Sequence, residues 1–199
     1  MINLFLKIIA FIGMIFLSPL RLISMILIIA EDGFPVFFLQ ERLGKNMNEF
    51  RIYKIRTMYN STPNLGTHEV DKSSYLKIGS ILRKLKIDEL PQILNFIKGD
   101  LNLIGPRPGL PSQLELKKFR MKENIYDINP GISGLSQVLG YDMSDPLKLS
   151  KIDALYIQKK SVKLDLLILI ATFIKSVRGI LLIMFKKEIG IINLGELDV

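Results

Sequence analysis

The chain has 199 residues, enough for one folded domain and a small appendage, and its 49% hydrophobic residues and mean hydropathy of +0.31 are high for a soluble domain. Lys and Arg outnumber Asp and Glu by 27 to 19, so the charge of +8 favours lipid headgroups or phosphates, whereas nucleic acid is disfavoured because no binding motif is present. The absence of Cys and the presence of a single His exclude disulfides, thiolate nucleophiles and Cys/His zinc sites.

Residues 1–30 form the most apolar segment, and Glu31-Asp32-Gly33 follows it without a small-residue cleavage site, which disfavours a signal peptide. A membrane-spanning helix needs about 20 apolar residues. Here Ser18-Pro19 would break such a helix near its middle, and Arg21 would place a charge near the bilayer centre. We therefore favour a re-entrant helix, bent at Ser18-Pro19 and returning to the same side, over a full span.

The middle of the chain is predicted to contain short strands, loops and helices. Strands are predicted within residues 34–58, with a turn at Gly44-Lys45-Asn46. A polar loop is predicted over residues 59–74, which places His68 at the surface. Helices are predicted at about residues 75–85, 88–97 and 112–122, and residues 104–112 are rich in Pro and Gly.

The last third is predicted to be helical over about residues 148–160 and 162–186, after a short extended piece at Gln137-Val138-Leu139. Charged residues interrupt the second helix, so we favour a buried or interfacial amphipathic helix over a second span. The sequence thus predicts an α/β, mainly helical fold: a small cytosolic domain with short strands, an N-terminal re-entrant membrane helix and interfacial amphipathic helices. The predicted boundaries are 1–30 for the membrane anchor and 31–199 for the cytosolic domain with its C-terminal membrane-associated helices.

Asp88 and Glu89 are the strongest candidates for chemistry. Two acids at the start of a helix are commonly there only to complement the helix dipole. Here, however, Arg83, Lys84 and Lys86 precede them and Lys98 follows, and Gly105-Pro106-Arg107-Pro108 presents a further Arg on a rigid segment. This pattern suits a site where one acid attacks phosphorus or holds a hard cation such as Mg²⁺ while the basic residues bind phosphate oxygens.

Four motifs resemble those of the bacterial sugar transferases, the monotopic phosphoglycosyl transferases, and occur in the same order. They are PVFFLQERLGKNMNEFRIYKIRTM (35–58), DELPQILNFIKGDLNLIGPRP (88–108), NPGISGLSQVLG (129–140) and IDALYIQKKSVKLDLLILIAT (152–172). The apolar N-terminal segment with Ser-Pro is similar to the membrane anchor of that family. The resemblance covers about residues 1–175.

The resemblance implies a transferase that initiates bacterial glycoconjugate biosynthesis at the cytoplasmic face of the inner membrane. Asp88 would attack the β-phosphate of a UDP-sugar and release UMP, and polyprenol (undecaprenyl) phosphate would then take the phospho-sugar from Asp88. Mg²⁺ would bridge Asp88 and the diphosphate. Glu89 would orient Asp88 or help to activate the acceptor.

Further site residues follow from the same motifs. Arg107 would hold phosphate, and Lys54 and Arg56 would contact phosphates or headgroups. Roles as ligands or in packing are both open for the remaining candidates: Gln137, Tyr141, Asp153, Tyr156 and Asp165. Where the family often has Arg, this chain has Asn129 and Tyr141, and an early Lys-Arg pair is reduced to Lys7, which leaves open which sugar or nucleotide contacts are kept.

Two other functions remain to be distinguished from catalysis: a non-catalytic membrane scaffold of the same fold, and a membrane protein whose basic domain binds lipid headgroups. The intact Asp88-Glu89 pair disfavours the scaffold. The partners expected for the enzyme are a UDP-sugar, polyprenol phosphate and membrane lipids, without nucleic acid, and a homodimer is left open. Release of UMP from UDP-sugars in the presence of polyprenol phosphate and Mg²⁺ would distinguish the enzyme from the two alternatives.

Overall fold

Helices form most of the chain in the computed structural model, which describes residues 2–63 and 70–194. The prediction of a mainly helical α/β fold with short strands is confirmed. The chain divides into an N-terminal unit, Met1–Glu41 with Phe50–Leu101, and a C-terminal unit, Arg42–Glu49 with Asn102–Val199. His68, predicted to lie at the surface, is outside the described residues, and the predicted boundary after residue 30 stays a prediction.

The N-terminal unit begins with two helices, continues with most of a two-stranded sheet and ends with two short helices. The elements are α1 (Ile2–Phe16), α2 (Ser18–Asp32), β1 (Phe37–Leu43), β2 (Glu49–Ile55), α3 (Lys77–Lys84) and α4 (Ile93–Lys98). A 3-10 turn, Lys45–Met47, joins the two strands and overlaps the turn predicted at Gly44-Lys45-Asn46. A further 3-10 helix, Ile87–Gln92, precedes α4, so the predicted helix at residues 88–97 begins with a tighter turn.

Helices α1 and α2 meet at Leu17 with a bend of 52°, next to the predicted break at Ser18-Pro19. Pro19 lies in the first turn of α2, where its missing N–H costs little. The carbonyl of Met14, in the last turn of α1, accepts a hydrogen bond of 2.7 Å from the guanidinium of Arg21. No single helix among the described residues is long and apolar enough to cross a membrane, and α1 and α2 reach that length only as a bent pair.

An apolar cluster in the N-terminal unit fixes the segment that carries Asp88. Its buried members come from α2, both strand regions, α3 and the turn before Asp88: Ile28, Val36, Ile55, Leu76, Leu82 and Ile87. Because Ile87 is buried in this cluster, the two acids that follow it are held at a defined edge of the core.

The C-terminal unit contains two short strands and six helices among its described residues. The elements are β3 (Asn102–Ile104), α5 (Leu114–Lys122), β4 (Gly131–Ser133), α6 (Leu135–Leu139), α7 (Pro146–Lys159), α8 (Val162–Phe173), α9 (Lys175–Met184) and α10 (Lys186–Leu194). Strands β3 and β4 are parallel, with Asn102 opposite Gly131 and Ile104 opposite Ser133. A Cβ on Gly131 would lie 2.1 Å from the backbone nitrogen of Gly105, so the pairing requires glycine there.

Two predictions for the C-terminal unit were wrong. Gln137-Val138-Leu139 is not extended but lies in α6, which begins after Gly134 and ends at Gly140 with φ +89°. The predicted helix over residues 162–186 is interrupted at Ile174, whose backbone is extended. The guanidinium of Arg178 folds back onto α8 and donates to the carbonyls of Ala171 (2.8 Å) and Thr172 (3.0 Å), which satisfies the groups freed by the break.

Candidate active site

The Asp88-Glu89 pair lies in the first turn of the 3-10 helix Ile87–Gln92. The residue before this helix, Lys86, has φ +61°, a left-handed conformation that costs a non-glycine residue about 1–3 kcal/mol. Such strain is stored most often at functional sites, because the surrounding fold must enforce it. Lys86, Asp88 and Glu89 thus lie within four consecutive residues at this turn.

Asp88 is a buried carboxylate, with only 6% of its surface exposed. Its Oδ1 atom has no hydrogen-bond partner within the described parts of the chain. Burial raises the pKa of the Asp88 carboxyl above its ordinary value, and the charge of Glu89 raises it further, while Lys54, Arg83 and Lys86 oppose both effects. The site thus holds a poorly solvated carboxylate with an oxygen that no described protein group satisfies.

Glu89 is held by two lysines. Lys54 Nζ lies 3.3 Å from Glu89 Oε1, and Lys86 Nζ lies 3.7 Å from Oε2. Lys54 comes from β2, so the fold brings together two residues that are 35 positions apart. Because the pair with Lys54 is largely shielded from water, it fixes the Glu89 carboxylate more firmly than a surface pair would, whereas the Lys86 side chain is 39% exposed.

Because burial disfavours the charged form of the Asp88 carboxyl, we expect removal of this charge to stabilise the folded protein. With a raised folded-state pKa, the charged carboxylate destabilises the folded protein as the pH rises from about 4, the ordinary range of Asp, through the folded-state value. Asp88→Asn in EDTA should therefore have a higher melting temperature than the wild type at pH 7.5, by about 2–4 °C for each kcal/mol of relief.

The difference should shrink as the pH falls toward 4, where the wild-type carboxyl is protonated in both states. Thermal unfolding of the two proteins across this pH range is the measurement. A variant that melts at or below the wild-type temperature at pH 7.5 would show that the Asp88 charge is not destabilising.

Arg56 contacts the end of α2. Its guanidinium forms an ion pair with the Asp32 carboxylate and donates to the carbonyl of Gly33 at 2.6 Å. The Asp32 carboxylate also accepts a hydrogen bond of 2.9 Å from the Asn60 backbone. These contacts give Arg56 a clear part in fixing α2, while its role toward phosphates or headgroups stays a prediction.

The remaining predicted site residues belong to the C-terminal unit. Arg107 is half-buried and stands between two prolines, in the segment that follows β3. Gln137, on α6, donates to the carbonyl of Ile132 at 3.4 Å, and its Oε1 atom is buried without a partner among the described residues. Tyr141 is half-buried and packs beside two apolar clusters. None of these geometries tests a ligand role, so the roles of these residues stay predictions.

Asp153, Tyr156 and Asp165 contact other protein groups. Asp153 Oδ2 lies 2.6 Å from Arg120 Nη2, and its Oδ1 accepts a hydrogen bond of 2.9 Å from Ser136. The hydroxyl of Tyr156 donates to Asp165 Oδ1 at 2.7 Å, and this contact together with burial raises the pKa of Tyr156. Of the two roles left open by the sequence, this geometry favours packing.

Two buried arginines were not singled out from the sequence. Arg42 lies within the first motif, and Arg120 follows Lys117 and Lys118 on α5. Such a run of positive charge is typical of a solvated helix face, so the sequence carries no signal that Arg120 is buried. Lys86 was noted only as part of the basic context, because its left-handed backbone cannot be read from residue type.

The acid pair is compatible with a magnesium ion. Within the described ranges no group of three or more acidic or histidine side chains is gathered to hold a metal. Mg²⁺ does not require one, because it is commonly held by one or two carboxylates together with substrate phosphates and water. The unpartnered Oδ1 of Asp88 supplies such an oxygen, so Asp88 is the residue that would hold the ion.

The chain is similar to curated bacterial proteins. It is 41% identical over 164 residues to the UDP-N-acetylgalactosamine-undecaprenyl-phosphate N-acetylgalactosaminephosphotransferase of Aeromonas hydrophila, covering 78% of this chain but 38% of that protein. It is 38% identical over 155 residues to the uncharacterized sugar transferase EpsL of Bacillus subtilis, covering 78% of this chain and 76% of that protein. It is 36% identical over 127 residues to the UDP-glucose:undecaprenyl-phosphate glucose-1-phosphate transferase of Caulobacter vibrioides, covering 62% and 48%.

All four motifs of the sequence analysis lie inside one family match. The family described as bacterial sugar transferase matches residues 2–179, which include the bent helix pair, the acid pair and the helices up to the middle of α9. With a match over most of its length and relatives above 30% identity, the chain belongs to the bacterial sugar transferase family.

Proposed function

We propose that this chain is a phosphoglycosyl transferase, which moves a phospho-sugar from a UDP-sugar to polyprenol phosphate through a covalent intermediate on Asp88. The observation that carries the proposal is the buried Asp88 carboxylate with an unpartnered oxygen, beside a glutamate fixed by two lysines. The names of two relatives support it, since both describe transfer from a UDP-sugar to undecaprenyl phosphate. Because those names differ in the sugar, the sugar used here is left to experiment.

In the first step a carboxylate oxygen of Asp88 forms a bond to the β-phosphorus of the UDP-sugar. The bond from that phosphorus to the bridging oxygen breaks, and UMP leaves with the oxygen and the electron pair. Burial favours this attack, because a poorly solvated carboxylate is a stronger nucleophile than one surrounded by water. The product is an acyl phosphate that carries the sugar on Asp88.

In the second step a phosphate oxygen of the polyprenol carrier attacks the same phosphorus, and the bond to Asp88 breaks. The Asp88 carboxylate is regenerated, and the product is the sugar joined to polyprenol through a diphosphate. Glu89, adjacent to Asp88 and held by Lys54 and Lys86, is placed to orient Asp88 or to assist the acceptor. The same lysines supply positive charge near phosphate oxygens.

Mg²⁺ held by Asp88 would neutralise negative charge on the diphosphate during transfer. Arg107 is the proposed phosphate ligand.

The N-terminal helices support attachment to one side of a membrane. On α1, Lys7 Nζ donates to the carbonyl of Ile97 at 2.8 Å, and at the end of α2 Glu31 accepts hydrogen bonds from the backbones of Lys77 and Ile78. Both sides of the bend therefore contact the same folded unit. Between them, Phe16 at the bend is 82% exposed, as expected of a side chain that enters lipid.

The last helices of the C-terminal unit present a second apolar surface. Large side chains on α8 to α10 are exposed, and lysines stand close to them along the same helices. The apolar side chains include Val162, Leu166, Phe173, Ile183 and Ile191. Apolar residues flanked by lysine are typical of interfacial helices on anionic membranes. This surface supports the proposal that the protein acts at the cytoplasmic face of the inner membrane.

The proposal predicts UMP release that depends on a sugar donor, polyprenol phosphate and Mg²⁺. Purified protein should be incubated with a panel of UDP-sugars and undecaprenyl phosphate, and UMP measured with and without EDTA. At least one sugar should give sustained release, EDTA should stop it, and added Mg²⁺ should restore it. No release from any UDP-sugar would favour a scaffold or a headgroup-binding protein, and full activity in EDTA would remove the metal from the proposal.

A further inference from the structure

The segment that carries Arg107 is fixed through its backbone. Four consecutive carbonyls, from Pro106 to Gly109, each accept a hydrogen bond from another part of the C-terminal unit. The donors are Gly131 N to Pro106 (2.9 Å), Arg120 Nη1 to Arg107 (2.7 Å), Arg42 Nη1 to Pro108 (3.0 Å) and Leu43 N to Gly109 (2.9 Å). Pro106 and Pro108 also restrict φ on both sides of Arg107. The backbone at Arg107 therefore has very little freedom.

Two of the four donors are buried guanidinium groups, and burying a cation to donate to a carbonyl costs more free energy than burying a neutral donor. Arg42 is 5% exposed and Arg120 is 1% exposed. Placing a cation away from water costs free energy unless it is paired, and a neutral donor would satisfy a carbonyl equally well. Asp153 is the carboxylate paired with Arg120, at 2.6 Å. The use of two arginines at adjacent carbonyls therefore calls for a reason beyond packing.

Arg107 itself differs from its two supports. Its guanidinium makes no hydrogen bond or ion pair with any residue in the described parts of the chain. Yet its charge is close enough to Arg42 that, after burial, Arg107 and then Arg120 are the charges that lower the pKa of Arg42. Three guanidinium groups thus lie near one another, and the outermost has its backbone fixed and its side chain available.

We infer that Arg42 and Arg120 are positioning residues for Arg107: by holding the carbonyls of Arg107 and Pro108, they fix the direction in which the Arg107 guanidinium meets a phosphate of the nucleotide-sugar. The inference rests on the proposed function. Their charges also raise the positive potential around Arg107, which favours the binding of an anion there. Asp153 acts one step further out, by orienting Arg120.

The test is a double-mutant cycle on UMP release by the full chain. Arg42→Lys and Arg120→Lys keep the charge but lose the planar fork of donors. Each should lower kcat/KM for the UDP-sugar about 10- to 100-fold, mainly through KM, because a displacement of about 1 Å can cost that much. In the Arg107→Ala background the same substitutions should cost less than about twofold, because no side chain is left to position.

Arg178→Lys is the matched control, because Arg178 also donates to two backbone carbonyls of the same unit, those of Ala171 and Thr172. Its effect should be the same with and without Arg107. If the effects of Arg42→Lys and Arg120→Lys are also the same in both backgrounds, the arginines serve general packing and the inference is overturned.

A measurement without turnover separates this inference from the proposed function. Hydrogen exchange at the amides of Gly131 and Leu43, which donate to the carbonyls of Pro106 and Gly109, should speed up about tenfold or more in Arg42→Lys, while the melting temperature stays near that of the wild type. A wild type that releases no UMP would refute the proposed function. Unchanged exchange in Arg42→Lys would refute the positioning role, and so would global unfolding of both lysine variants, since the arginines would then hold the whole unit.

Discussion

Asp88→Asn should abolish turnover, with a fall in kcat of about 10³-fold or more. The amide cannot form the bond to phosphorus, and its neutral group cannot hold a cation as the carboxylate does. Intact-mass spectrometry after incubation with a UDP-sugar, without the polyprenol acceptor, should show a phospho-sugar adduct on the wild type and none on the variant. The expected rise in melting temperature of this variant would show that the loss is not caused by unfolding.

Glu41→Gln is a suitable control, because Glu41 is an exposed acid of the same unit, paired with Arg51 at 3.7 Å. It should keep both the turnover and the adduct. Glu89→Gln separates the two roles proposed for Glu89. If Glu89 assists the acceptor, the adduct should still form and should persist when polyprenol phosphate is added, whereas loss of the adduct would assign Glu89 to orienting Asp88. Undiminished turnover in Asp88→Asn would remove Asp88 as the nucleophile.

The elements that could be predicted from the sequence are those with a strong local signal. Pro19 marks the bend between α1 and α2 because proline removes a donor wherever it occurs. Gly44 and its neighbours mark the turn between β1 and β2, and the acids at 88 and 89 mark the start of a helical turn. The contact of Lys54 with Glu89 is not local, yet both residues were selected because each lies in a motif of the family.

The features that were missed depend on tertiary contacts. Strands β3 and β4 have three residues each, too few to show alternation, and among the described strands each pairs with the other. The break at Ile174 contains neither Pro nor Gly and is compensated by Arg178 from the next helix. Arg120 can be buried because Asp153 and a backbone carbonyl accept hydrogen bonds from its guanidinium, and no pattern within α5 indicates this.

The orientation of the bent helix pair gives the second large expected effect. If α1 and α2 crossed the bilayer as one span, Lys7 and Asp32 would lie on opposite sides. In the structure Lys7 bonds to Ile97, and Asp32 forms an ion pair with Arg56, all within the N-terminal unit. A folded unit cannot lie on both sides of a bilayer, since its polar backbone would be left without partners in lipid. The contacts therefore favour a re-entrant pair.

The absence of cysteine allows a direct test with single-Cys variants. Cysteines at positions 2 and 34 should both react with a membrane-impermeant maleimide from the cytoplasmic side and not from the periplasm. Phe34, 72% exposed, is preferred to Gly33, because Gly33 has φ +66° and a side chain there would strain the turn. A cysteine at position 16, beside the bend, should react from neither side.

Replacing both Ser18 and Pro19 by Leu should straighten the pair and carry position 2 to the periplasm in a large fraction of molecules. The new N–H at position 19 restores a helical hydrogen bond, and a straight apolar helix of this length is long enough to cross the bilayer core. Ser18→Ala alone is the control: it keeps Pro19, so the bend and the labelling should be unchanged. Labelling of position 2 from the periplasm in the unaltered protein would show instead that α1 and α2 span the membrane, and the contact between Lys7 and Ile97 could not then exist in the bilayer.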